Sequence, residues 1–376
     1  MRSSEGFSAN KHQRGVALIM AVMIVALVTA VAVEISWRFE LSISRSANRW
    51  QGVQAKAYLE GAEHLAMIVL REDSENDETN VADHFGELWA QEPTPFPTDH
   101  GWVMGEIEDA QGRFNLNSMK PKAGYCDNGE KKKSEEPYCD PKQSSCDRFT
   151  PSQLQFIRLL QTVNIGENEE EALFLDTSEA EVITEAVIDW LDEDSTIRGF
   201  GGAESDHYEQ LMPPLAIANN SMISVSELQV IKGMSPVLYE DLLPNIIALP
   251  DTKINIHTAT ISVLRTLVAK VPCSLEPLSI EDGTDIKAIL EAEEFKNDAD
   301  LASNPGLPAV WLDSKQGLAF NFAKSNAGIF QSNYFLFEGT VLVGDDHIRR
   351  SNSLIKRTAN NGAVNIEVVR RTDANF

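Results

Sequence analysis

The sequence predicts an α+β protein: a long N-terminal helix packed on an antiparallel sheet, with a large, mostly α-helical domain inserted in the β region. Three observations predict it. From Glu34 to about Arg71 there is no proline, and apolar residues recur near helical spacing, continuing the apolar run before them. Strand-like alternation lies on both sides of the chain's middle, at 101–118 and again from Ile329 onward. Between them, from Pro151 to about Asn326, the apolar period is helical. The C-terminal strands then complete a sheet begun near Trp102, and that sheet buries its apolar face on the amphipathic half of the long helix.

The helix begins in a run with no charge from Gly15 to Val33. About 19 residues rising 1.5 Å each are enough to cross the hydrocarbon core of a bilayer. Lys11, His12 and Arg14 precede the run and Glu34 follows it, which orients the N-terminus to the cytoplasm and the bulk of the chain to the other side. Three readings fit the run. A cleaved secretory signal would use the small residues Ala30 and Ala32. An uncleaved anchor needs only the length. A prepilin-type leader would be cut between Gly15 and Val16 and leave the apolar helix on the mature chain.

Residues 34–71 extend the helix amphipathically through Ile35, Phe39, Ile43, Ala47, Tyr58, Leu59, Ala62, Leu65, Ala66 and Val69. A signal peptide has no reason to continue this way. Residues 72–83 are acidic and polar, and 92–97 hold three prolines, so both read as loop. Trp102, Met104 and Ile107 then suggest a strand, Asp109 to Gly112 a turn, and Arg113 to Leu116 a second strand.

Residues 119–150 are rich in lysine and proline and hold Cys126, Cys139 and Cys146, with Cys273 far downstream. The spacing lacks the close pairs of a zinc site. In an oxidising compartment the four allow up to two disulfides, in any of three pairings. In the helical region, Ser224 with Glu227 three residues later reads as a helix start, Ile231 to Met234 as a tight turn, and Ser235-Pro236 as the next start. Thr258 reads as another cap, and a short helix near 285–301 closes the region. These units have the look of helix-hairpin-helix pairs. The glycine pair that offers amides to phosphate is missing, so packing within the domain is the better account. Residues 329–371 give three strands, turning at Gly344 to Asp346 and at Asn360 to Gly362.

The densest chemistry is DWLDEDSTIRGFGGAESDHY, 189–208. A helix ending near Leu191 delivers Asp189, Asp192, Glu193 and Asp194, the chain turns at Gly199, Gly201 and Gly202, and it returns with Glu204 and Asp206. So many carboxylates in one place repel unless a hard cation joins them, and calcium takes six to eight oxygens of this kind. Asp192, Asp194 and Thr196 copy the start of an EF-hand loop, but Ile197 stands where that loop needs glycine and Glu204 comes one residue late. The expected ligand set is Asp189, Asp192, Asp194, Glu204 and Asp206, set against a merely solvated acidic turn. A glycosidase pair would need a rigid scaffold around Asp189 that the sequence does not offer, and no nucleophile, zinc-protease or phosphate-loop motif stands elsewhere. The expectation is no enzyme. A net charge of −25 excludes nucleic acid as partner, since binding it needs clustered cations.

The phrase DAQGRFNLN, 109–117, resembles the first strands after the helix in the K-type minor pseudopilins of type II secretion systems (general secretion pathway protein K). The leader, the 189–208 stretch and the C-terminal hairpin extend the resemblance over nearly the whole chain. It implies a pilin-like fold divided as leader 1–15, membrane helix 16–33, amphipathic helix 34–71, first strands 72–118, inserted domain 119–328 and last strands 329–376. It further implies calcium at the acidic stretch, and processing between Gly15 and Val16 by a prepilin peptidase with methylation. The implied setting is the bacterial inner membrane and its lipid, with the large part in the periplasm. The implied partners are the I-, J- and H-type minor pseudopilins and the inner-membrane secretion platform. Pilin-like subunits generally carry glutamate at the fifth mature position, where a carboxylate in lipid needs a partner ahead of it. Met20 stands there instead, which implies the first place in a filament. The alternatives are an uncleaved, membrane-anchored calcium-binding module and a minor pilin of a related type IV system.

Overall fold

The computed structural model describes residues 13–75, 82–120, 148–166, 172–250, 252–267, 274–296, 300–301, 304, 327–344, 347–360 and 363–372. All four cysteines lie outside the described residues, as does most of the leader. The chain folds as α+β, with one long helix, Gln13–Glu75, against a five-stranded antiparallel sheet. At 1.5 Å per residue the helix is roughly 94 Å long. It runs four residues past Arg71, and Asp73 in that last turn is held by an ion pair with Arg357 (2.9 Å). Its N-terminal part is long and apolar enough to cross a membrane.

The sheet order is β1 (Phe96–Thr98), β2 (Gly101–Asp109), β7 (Tyr334–Val343), β8 (His347–Asn360) and β9 (Ala363–Thr372). The proline-rich 92–97 segment is therefore not all loop: Phe96 and Pro97 enter the edge strand, where a missing N–H costs no ladder bond. Ala55, Leu59, Ala66 and Leu70 lie on one side of the helix and are buried against Phe335, Phe337, Val341, Val343 and Ile355. Each fully buried leucine contributes roughly 1.5–3 kcal/mol. Glu63 falls in the same stripe and is buried too, accepting two hydrogen bonds from Arg371 (2.6 and 2.8 Å) and one from Ser353 (2.5 Å). Those bonds outweigh its burial and hold its carboxyl below the usual range. Further toward the N-terminus, Ile35, Trp37, Phe39, Ile43, Trp50 and Val53 are all exposed.

The inserted domain leaves the sheet at the end of β2 and returns at the start of β7, and these two strands are neighbours, with Asp109 opposite Phe335. That end of the sheet lies by the helix C-terminus, where Arg357 pairs with Asp73 and Asp83. Both crossings are thus at the end farthest from the apolar run. The expected second strand, Arg113 to Leu116, does not join the sheet. Only β3 (Phe114–Asn115) forms, and it pairs in parallel with β4 (Ile246–Ile247) of the inserted domain. A second small parallel pair joins β5 (Ile254–Asn255) to β6 (Ala327–Ile329).

The 109–117 phrase is the joint between the two parts. Asp109, fully buried, accepts hydrogen bonds from Thr258 Oγ1 (2.6 Å), Ser332 Oγ (2.7 Å), Asn255 Nδ2 (2.9 Å) and Gln111 N (2.8 Å). Gln111 Oε1 accepts from Asn333 N and Tyr334 N. A Cβ on Gly112 would lie 2.6 Å from Thr258 O, so glycine is what lets the inserted domain sit this close. Asn115 bonds Leu249 N and Pro250 O, and Asn117 bonds both Met222 N and Met222 O. Thr258 is therefore not a helix cap: its hydroxyl is spent on Asp109. The following helix, Ile261–Leu267, is capped by Thr260, whose Oγ1 accepts from Val263 N (3.2 Å). Ser224 and Ser235 do cap, although the first element they open is the tighter 3-10 helix Val225–Val230. The apolar faces of both elements are buried in the domain core.

Candidate metal centre

The acidic stretch starts on a fixed helix. Asp176 and Glu179 form a capping box at its N-terminus, and Ala180, Ile183, Val187, Ile188 and Leu191 bury its inner face. The helix, Thr177–Leu191, ends where Asp192 turns extended (ψ 172°). Asp194 Oδ1 accepts from Thr196 N (2.7 Å) and tightens the turn. The three glycines that follow are tightly packed. Gly199 has φ +57°, and a Cβ there would overlap the Glu185 carboxylate; one on Gly201 would lie 2.4 Å from the backbone of Val182. Gly201 N donates to Glu185 Oε2 (2.7 Å), and Arg148 pairs with both Glu181 and Glu185. The loop is pressed onto its own helix and returns Glu204 to the helix end. Tyr208, fully buried, then packs edge-on against Trp190 at 5.2 Å, and the Trp190 indole N–H donates to Glu227 (3.0 Å).

Of the five acids expected as ligands, three converge: Asp192, Asp194 and Glu204 each bring an oxygen within 4.8 Å of the other two. Glu204 is only 4 % exposed, yet among the described residues neither of its carboxylate oxygens has a hydrogen-bond partner, and neither does Asp192 Oδ1. Burial raises the Asp192 carboxyl to about 7, with the charges of Asp194 and Glu204 adding to it, and Glu204 rises for the same two reasons. Asp189 is fully buried beside them but is occupied by Arg198 N, 3.2 Å from each of its oxygens. Its carboxyl is pushed up to about 8, chiefly by burial. Asp206 is exposed on the short helix Ser205–Tyr208 and stands outside the converging three. Buried carboxylate oxygens with no donor are costly unless a cation or protons supply the missing charge. An all-oxygen set of this kind suits a hard cation such as calcium.

A second group, Asp73, Asp83 and Glu87, also converges, but its charges have partners. Arg357 takes Asp73 and Asp83, and Glu87 accepts from Trp89 Nε1 (2.6 Å) and His84 N (3.1 Å). Burial, with the charge of Asp73, raises the Glu87 carboxyl to about 7. A carboxyl raised in the folded chain binds its proton more tightly there than when unfolded, so stability falls as pH rises from about 4.5 to about 7 and is level above. Replacing Glu87 with Gln keeps both acceptor contacts. The melting temperature of Glu87→Gln relative to the parent should climb across that window, and parallel curves would refute the assignment.

Comparison with known proteins adds the context. Residues 112–251 match the sequence model of a family described as type II secretion system (T2SS), protein K. The chain is 30% identical over 313 residues to the type II secretion system protein K of Aeromonas hydrophila, covering 81% of this chain and 86% of that one. Its identity to the Pseudomonas aeruginosa protein of the same name is 34% over 303 residues, covering 79% and 80%. The fold matches a chain in the crystal structure of a GspK-GspI-GspJ complex from the enterotoxigenic Escherichia coli type 2 secretion system, with a TM-score of 0.64 at 24% identity, over 87% of this chain and 98% of that one.

Proposed function

The chain belongs to the type II secretion system protein K family and is a minor pseudopilin, and from that premise we propose that it caps the tip of a periplasmic pseudopilus and helps start its assembly. A member of this family is a structural part of a secretion machine. The observation that carries the tip reading is where the inserted domain joins. Both crossings are at the end of the sheet distant from the apolar helix, so a bulky domain stands where a further subunit would have to stack. Met20 supports it from the other end of the helix, since no buried carboxylate there calls for a neighbour ahead. Gold coupled to the inserted domain should mark only the ends of assembled filaments, and label along the shaft would overturn the tip position.

The apolar stripe at Ile35, Phe39 and Ile43, with Trp50 and Val53, supports helix-to-helix packing with other subunits. I- and J-type subunits are the proposed neighbours, supported by the solved complex of their relatives, and the H-type subunit follows from the family resemblance. Val16 as the mature N-terminus predicts a peptidase-dependent chain whose mass corresponds to cleavage after Gly15. A membrane-bound chain that keeps residues 1–15 would contradict processing.

Calcium is proposed at Asp192, Asp194 and Glu204, with Asp189 shaping the site through Arg198 N. When bound, the ion supplies the positive charge these oxygens lack. At a free concentration one hundred times its dissociation constant it adds about 2.7 kcal/mol to stability. Calcium should therefore raise the melting temperature of the parent chain. It should leave Glu204→Gln unmoved, while in chelator the variant should be at least as stable because one repelling charge is gone.

A further inference from the structure

Asn219 stands beside the acidic loop without any signal in the sequence to single it out. It has φ +44°, in the left-handed region, where asparagine is better tolerated than most side chains. Its Nδ2 donates to the backbone oxygen of Asp194 (2.9 Å), which fixes the amide against the turn that carries two of the three converging acids. Its Oδ1 is buried and accepts nothing from the described residues. The amide cannot be turned over to relieve this, because its oxygen would then face the Asp194 carbonyl. Among the described residues, four side-chain oxygens, on Asp192, Glu204 and Asn219, are thus buried without donors around one turn. Calcium commonly mixes carboxylates with asparagine carbonyls, so a neutral oxygen beside three acids completes a familiar type of ligand set.

The residues after Asn219 reach the joint. Met222 bonds Asn117 through both its N–H and its carbonyl, and Ile223 accepts from Arg370 of β9 through its carbonyl. Ser221, Met222 and Ile223 form one wall of a cavity of about 540 Å³ between the inserted domain and the sheet, with Leu354 and Val369 opposite. We propose that Asn219 Oδ1 is a ligand of the same cation, an inference that rests on the calcium reading above, and that the ion thereby clamps residues 219–223 to the acidic loop. Occupancy of the site then sets how firmly the inserted domain is held against β8 and β9.

The test uses the full chain in detergent micelles, with calcium titrated calorimetrically into the parent and into Asn219→Gly. Glycine keeps the left-handed backbone and removes the oxygen. The expected result is an affinity weakened by roughly 10–100-fold, the range for a lost supporting group at a metal site. In chelator the melting temperature should fall only slightly, through loss of the Nδ2 bond to Asp194 O, and in calcium it should fall by more; the calcium-induced protection of amides 219–223 from deuterium exchange should disappear. Equal calcium affinity in the two chains would overturn the proposal, as would a variant equally destabilised in chelator and in calcium, which would mark Asn219 as a packing residue. A parent chain that takes up no calcium gives a different signature, and it removes the metal reading together with the ligand.

Discussion

Asp109→Ala should lower the stability of the folded chain by roughly 3–5 kcal/mol, because it strands several buried donors at once. Thr258, Ser332, Asn255 and Gln111 all donate to this one carboxylate, and they come from both sides of the joint. Burial raises the Asp109 carboxyl to about 6, against the pull of those donors. Since that value exceeds the ordinary one, the group's own contribution is greatest below about pH 4 and declines as pH rises through about 6. The penalty for Asp109→Ala should thus shrink somewhat between pH 4 and 7, but not vanish, because the stranded donors remain. Denaturant unfolding at several pH values measures both. A loss below about 1 kcal/mol would mean that water replaces the carboxylate and that the joint is looser than its contacts indicate.

Arg357→Met should cost about as much, on the order of 3–5 kcal/mol, by the rule that breaking a buried ion pair from one side leaves an uncompensated charge. Arg357 is 6 % exposed, and it pairs with Asp73 at the end of the long helix (2.9 Å) and with Asp83 in the segment that follows. Its guanidinium also donates to Ser332 O (3.1 Å) and lies over the Phe335 ring at 4.7 Å. Methionine retains the apolar packing and removes the charge, so the measured loss belongs to the stranded acids. Adding Asp83→Asn should recover much of it. A double variant no more stable than the single one would show that Arg357 acts through shape alone.

The long helix, the C-terminal strands and the helical insertion were legible because period and length record burial directly. Ala55, Leu59, Ala66 and Leu70 repeat on one helical face because one sheet covers them. The fate of 113–116 was not legible. Strand pairing is decided by what lies across from a segment, and the partner of Phe114 and Asn115 is Ile246–Ile247, far along the chain. Thr258 misled for a related reason: a threonine before a helix is a good cap unless a distant carboxylate claims its hydroxyl. At the acidic stretch, composition pointed to the place, and the fold reduced five candidates to the converging three. Asn219 had no such signal, since its role depends on a carbonyl at Asp194 and a left-handed backbone. Charge is visible in a sequence, whereas an unsatisfied amide oxygen is visible only in space.

The pairing of β2 with β7 carries a kinetic consequence. These strands lie at the centre of the sheet, yet the whole inserted domain separates them along the chain. Closing a loop of that length before anything inside it has ordered loses much entropy, and distant contacts of this kind form slowly. If the inserted domain folds first, its two ends are already side by side and the central pair becomes a short-range event. The inserted domain would then act as the template on which the sheet is assembled. A chain emerging from a membrane would have its most distant part ordered before the sheet that anchors it.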